Sequence, residues 1–122
     1  NVIVSGDLTV NGTTTTLNTS NLEIEDKFLF LNAGSGSVAP VGEGGIIVEA
    51  GTADEGAAFY YDGNSTRWSL ADGVAKEATT VTPEAFTAVV VDEAGGQTDA
   101  TKYQKNGNIK VNSDGDIFIY VE

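Results

Sequence analysis

The chain predicts an all-β fold built from short antiparallel strands and hairpins. Three observations predict it. Fifteen glycines and fourteen threonines stand against two prolines among 122 residues, a composition of short strands and tight turns. Apolar residues recur at every second position in several stretches, the period of a strand. No stretch repeats its apolar residues at helical spacing over a useful length.

The strands follow in order. VIV at 2–4 and DLTV at 7–10 alternate, with Leu8 and Val10 on one face and Thr9 on the other. Asn11-Gly12 supplies positive φ at low cost and marks a hairpin turn or a corner. The run Thr13 to Thr16 follows, ending at Leu17. Alternate side chains point to opposite faces, so four threonines give both faces the same half-polar character. LEIE at 22–25 puts Leu22 and Ile24 inward and Glu23 and Glu25 outward. KFLFL at 27–31 is continuously apolar, the pattern of a strand covered on both faces. GSGSVAPVGEGG at 34–45 reads as a loop.

GIIVEA at 45–50 is a strand. AAFYYD at 57–62 and RWSL at 67–70 form a hairpin across the turn residues of DGNST, and ADG at 71–73 closes that unit. Within it Phe59 and Tyr61 share one face, Tyr60 takes the other, and Trp68 is assigned to the core. From Val74 the chain turns polar. TPEA at 82–85 could begin a helical turn, with Thr82 as N-cap and Pro83 at the first position. FTAVVV at 86–91 is too β-branched for a long helix and predicts a strand. A turn-rich segment leads to NIKVNSDGDIFIYVE, a second hairpin. There Ile109 and Val111 pair with Ile117, Ile119 and Val121, and Phe118 and Tyr120 on the other face leave the last strand covered on both sides. The expected organisation is an N-terminal β segment over 1–33, a central hairpin unit over 34–73 and a C-terminal β segment over 74–122.

Charge restricts the function. Eighteen acidic residues against six basic ones give a net charge of −12, which opposes nucleic acid and anionic membrane surfaces. No apolar run approaches the ~20 residues that span a bilayer as a helix, so membrane insertion is not expected. The same charge helps keep a strand-rich chain from associating edge to edge. There is no cysteine and no histidine. Disulfides and thiolate metal sites are absent, as are the commonest general base and metal ligand. Beginning at Asn1 and without methionine, the sequence reads as a processed chain or part of a longer one.

The stretch GDLTVNGTTTTLNTSNLEIEDKFLFLNAGS resembles a segment of tail-fibre and related appendage proteins of tailed bacteriophages, especially those of marine bacteria and cyanobacteria. The shared pattern is G-D-L-x-V-x-G-T-x-T, a short Asn/Ser/Thr link, L-x-I-x-D and an apolar strand. It falls on Gly6, Asp7, Leu8, Val10, Gly12, Thr13, Thr15, Leu22, Ile24 and Asp26. GGIIVEAG at 44–51 and FYYDGNSTRWSL at 59–70 look like the strand and aromatic hairpin that often follow in those proteins. The resemblance covers about residues 4–73. It implies a non-enzymatic virion component, located in the tail or another external appendage, that forms an interwoven homotrimeric fibre-type module and contacts other virion proteins. In such a module the Thr run would lie between sister chains, where a stiff β-branched side chain packs through its methyl and bonds through its hydroxyl. The expected trimer-interface residues are Thr13, Thr14, Thr15, Thr16, Leu17, Phe28 and Phe30. The alternative for the run is an exposed edge or linker strand of a monomeric sandwich.

Other sites weigh less. Glycoside hydrolysis needs two carboxylates flanking a sugar. Glu23, Glu25 and Asp26, Asp54 with Glu55, Asp92 with Glu93, and Asp114 with Asp116 are candidates, but all read better as polar faces and turns. SDGD at 113–116 and DGNS at 62–65 hold clustered oxygens for calcium without the twelve-residue loop of an EF-hand; hairpin turns explain them. GEGG at 42–45 lacks the Lys-Ser/Thr of a phosphate loop. No cofactor is expected. Of the aromatics, Tyr103, flanked by Lys102 and Lys105, is the expected exposed one and the candidate contact for a host-surface glycan or receptor. Three readings follow: a fibre spacer, a receptor-binding tip and a capsid decoration protein.

Overall fold

A computed structural model describes residues 1–33, 42–92 and 103–122. Among them every regular element is a strand: β1 (Gly44–Glu49), β2 (Glu55–Asp62), β3 (Arg67–Ala75), β4 (Ala85–Phe86), β5 (Val90–Asp92), β6 (Ile109–Val111) and β7 (Ile117–Ile119). They form two sheets. The first runs β1-β2-β3-β4 and is antiparallel throughout. The second runs β5-β6-β7, with β5 parallel to β6 and β6 antiparallel to β7.

The central hairpin forms where the sequence predicts it, pairing Tyr61 with Trp68 and Phe59 with Leu70. Its turn is held by Asp62, whose carboxylate accepts the backbone N–H of Ser65 at 2.9 Å. ADG does not close the unit. Asp72 and Gly73 stand opposite Ala57 as a bulge, Gly73 at φ 61°, and β3 continues to Ala75. A bulge needs one residue that tolerates left-handed backbone, and glycine does so without a Cβ clash.

One face of this sheet is covered. Ala58, Tyr60, Ala71 and Val74 are buried there, and Val81 packs on them from the connection after β3. Two hydrogen bonds tie that connection down. The Tyr60 hydroxyl donates to Val81 O at 3.2 Å, and Val81 N donates to Glu43 Oε1 at 2.7 Å. Burial raises the Tyr60 phenol above its ordinary value of 10.0, and the negative charges of Asp62 and then Glu43 raise it further.

The two sheets meet through Asn108, which is 1% exposed. Its Oδ1 accepts from Arg67 Nη2 at 3.1 Å and from Val89 N at 3.0 Å. Its Nδ2 donates to Tyr103 O at 2.9 Å. Arg67 also donates to Asn106 O at 3.1 Å and lies 4.6 Å over the ring of Phe86.

Several expectations are corrected. FTAVVV is not one strand. Its start pairs with β3 and its end with β6, and Thr87 turns between them by donating its N–H and hydroxyl to Trp68 O. TPEA forms no helical turn. The C-terminal hairpin forms, with Ile109 opposite Ile119 and Val111 opposite Ile117, but Val121 lies beyond β7 and pairs with neither, and β7 is not covered on both sides; all three of its residues are exposed. Residues 2–4, 7–10, 22–25 and 27–31 contain no strand. A strand exists only as part of a ladder, and among the described residues none of residues 1–31 joins a backbone hydrogen bond to another segment. Most of the predicted loop at 34–45 and most of the turn-rich segment after Asp92 lie outside the described residues.

Candidate functional site

Strand alternation gives the first sheet a second face, and that face is open. β1 contributes Ile46 and Val48, β2 contributes Phe59 and Tyr61, and β3 contributes Trp68 and Leu70. Cross-strand pairing sets the aromatics against each other. Phe59 and Trp68 stack at 5.2 Å between centroids with 13° between planes, and Tyr61 meets Trp68 edge-on at 5.6 Å and 73°. Such contacts fix ring orientation and are each worth about 0.5–1.5 kcal/mol. Trp68 is therefore ordered yet 45% exposed, a correction to its expected place in the core. Alternation tells which residues share a face; it does not tell which face the chain covers.

A cavity of about 530 Å³ opens on this face, lined by Ile46, Phe59, Tyr61 and Trp68 and bounded by Leu29 to Asn32. The Asn32 side chain donates to Glu43 O at 2.8 Å, which holds the end of the N-terminal segment beside the start of β1. A smaller cavity of about 70 Å³ lies on the other side of Trp68 and brings in Tyr103 and Lys105. The second sheet also leaves an apolar face open, with Val90, Ile117 and Ile119 exposed.

The expected interface residues are all at the surface. Thr13, Thr14, Thr15, Thr16 and Leu17 are exposed and belong to neither sheet, so the run is not an edge strand of this chain. Phe28 is 83% exposed and Phe30 is 89% exposed. Among the expected receptor contacts, Tyr103 and Lys105 are half-buried beside Trp68, and Lys102 lies outside the described residues.

The acidic candidates serve turns and surface. Asn112 Oδ1 accepts the N–H groups of Asp114 and Asp116 at 3.0 and 2.8 Å, which shapes the 113–116 turn. Asp54 pairs with Lys76 at 2.7 Å in the open, and that bond, with the charge of Asp54, raises the Lys76 ammonium above its ordinary 10.5. Asp92 belongs to β5, and Glu93 lies outside the described residues. Among the described residues no group of three or more acidic side chains is placed to hold a metal ion.

The sequence reading missed two features. Ile46 and Val48 carry part of the open face; the signal was an apolar β1 with no Lys or Pro, the residues that guard an edge strand. Asn108 carried no local signal, since its partners come from distant segments.

No known protein family, curated protein or solved structure matches the chain.

Proposed function

We propose that this chain is a structural module of a bacteriophage appendage, a tail fibre or related part, which acts as a homotrimer and carries no catalytic activity. The observation that supports assembly most is exposed apolar surface: each sheet leaves one apolar face open, and residues 1–31 leave Leu8, Leu22, Ile24, Phe28 and Phe30 in water. The appendage identity rests on the resemblance of residues 4–73. Contacts with other virion proteins and placement on the outside of the particle follow from it.

Light scattering after size exclusion tests the assembly. Three chains of 12.6 kDa give about 38 kDa. A stable species of one-chain mass at micromolar concentration would overturn the proposal.

A second reading, a glycan-binding tip, draws on the half-exposed Trp68 with Tyr61, Tyr103 and Lys105 around the small cavity beside it. Rings and hydroxyls set together suit a sugar face. Binding of the purified protein to host cells, lost when Trp68 and Tyr103 become Ala, would favour that role. Undiminished binding by the double variant would exclude this surface.

A further inference from the structure

We propose that Asn11-Gly12 is a self-modifying site: the backbone nitrogen of Gly12 displaces the Asn11 side-chain amide as ammonia, and water then leaves aspartyl and isoaspartyl linkages in its place. The same dipeptide at Asn106-Gly107 is held against that reaction by the fold.

Asn stands before Gly twice in the sequence, at 11–12 and at 106–107. Every other Asn precedes a residue with a side chain, which crowds the nitrogen after it. Glycine leaves that nitrogen open and lets the backbone turn into the ring-closing geometry. Attack within one chain then needs no enzyme, because nucleophile and carbonyl are already tethered. The Gly12 N–H loses its proton to hydroxide, and the nitrogen bonds to Asn11 Cγ. The bond from Cγ to Nδ2 breaks, and the amide leaves as ammonia with a proton from water. A cyclic imide remains. Water added at Cγ breaks the new bond and gives aspartate. Water added at the Asn11 backbone carbonyl breaks the original peptide bond and gives isoaspartate. Either route consumes a water and releases an ammonia.

The two pairs differ in what holds them, since all four residues are exposed. Among the described residues Asn11 and Gly12 make no hydrogen bond, and they lie outside both sheets. The side chain and the nitrogen are free to meet. At the second pair, Gly107 donates its N–H, the nucleophile, to Tyr120 O at 2.9 Å. Asn106 Oδ1 accepts from Glu122 N, and Asn106 O accepts from Arg67 Nη1 at 3.1 Å. The reaction there waits on local opening. Conversion at Asn11 adds a negative charge to a chain at −12. In the isoaspartyl form it also adds a carbon to the main chain directly ahead of Thr13.

The test uses the native full-length protein, aged at mildly alkaline pH beside the same protein unfolded in urea. Both are digested in acid, which halts the reaction, and both sites are read by mass spectrometry with fragmentation that separates isoaspartate from aspartate. In urea the two sites should convert at similar rates. In the native protein Asn11 should keep its unfolded rate while Asn106 falls about tenfold or more below it, the ratio that an opening cost of about 1.4 kcal/mol sets. Isoaspartate at position 11 marks the imide route, because direct hydrolysis gives aspartate alone. Gly12→Ala, which crowds the nitrogen and leaves both sheets untouched, should slow conversion about tenfold or more. Native Asn11 as slow as native Asn106 overturns the proposal. So does aspartate without isoaspartate, or a Gly12→Ala chain that converts at the original rate.

Discussion

Replacing Asn108 by Ala removes one small side chain and disconnects three segments. Its amide is buried and makes three hydrogen bonds, to Arg67, Val89 N and Tyr103 O. An unsatisfied buried group costs about 1–3 kcal/mol. Val89, Arg67 and Tyr103 are each only half-buried, so water recovers part of that cost for all three partners. The expected loss is about 2–4 kcal/mol for the set. With ~2.1 cal/mol/K of unfolding entropy per residue, each kcal/mol shifts the midpoint of 122 residues by about 4 °C. Asn108→Ala should therefore lower Tm by about 8–16 °C at fixed protein concentration. Asn108→Asp keeps both acceptor bonds, loses the donor to Tyr103 O and should fall between. Thermal melts followed by circular dichroism read both, and amide exchange reads the local effect: the Val89 N–H should lose protection first. A drop below about 2 °C for Asn108→Ala, with Val89 still protected, would refute the reading of Asn108 as the joint between the sheets.

Three further outcomes are expected. Because the Tyr60 phenol is raised, the fold favours its neutral form; stability is intact below the ordinary value of 10.0 and declines as pH rises through the folded value. Lys76 is raised as well, so its contribution also fades at alkaline pH. Tyr60→Phe should shallow the fall in urea midpoint between about pH 9 and pH 11 while costing about 0.5–1.5 kcal/mol at neutral pH for the lost bond to Val81. Gly45→Ala puts a Cβ against Phe59 O and Tyr60 Cα; backbone cannot yield as a side chain can, so a loss of about 1–3 kcal/mol or more is expected in denaturant titration. Thr66→Gly should raise Tm, since a β-branched residue at φ 56° stores about 1–3 kcal/mol of strain; an unchanged or lower Tm would show the turn to be unstrained.

The parts of this fold legible in the sequence are those whose partners lie nearby. The Phe59–Leu70 hairpin carries both strand alternation and its own turn residues, and the C-terminal hairpin likewise carries Asp114-Gly115. Where the partner is remote, alternation has no way to name it. FTAVVV looks continuous, yet Trp68 O holds Thr87 and Asn108 holds Val89, and these two pulls divide it between sheets. The N-terminal stretches show the same limit from the other side: LEIE and KFLFL have strand periodicity, and the single chain provides no ladder for either. Of the site, the shared face of Phe59 and Tyr61 was readable. The exposure of Trp68 was not, because Val81 covers the opposite face from outside the hairpin.

The parallel pairing of β5 with β6 has a consequence for how the chain reaches its native state. Hairpins β2–β3 and β6–β7 close short loops, and short loops close fast. β5 can join β6 only after a longer loop has been brought round, at a larger entropic cost. Thr87 and Val89 lie just ahead of β5 and are fastened by Trp68 and Asn108. The two hairpins thus form independently, and the strand carrying Val90 and Val91 arrives as the closing step, welding two early-formed pieces into one cooperative unit.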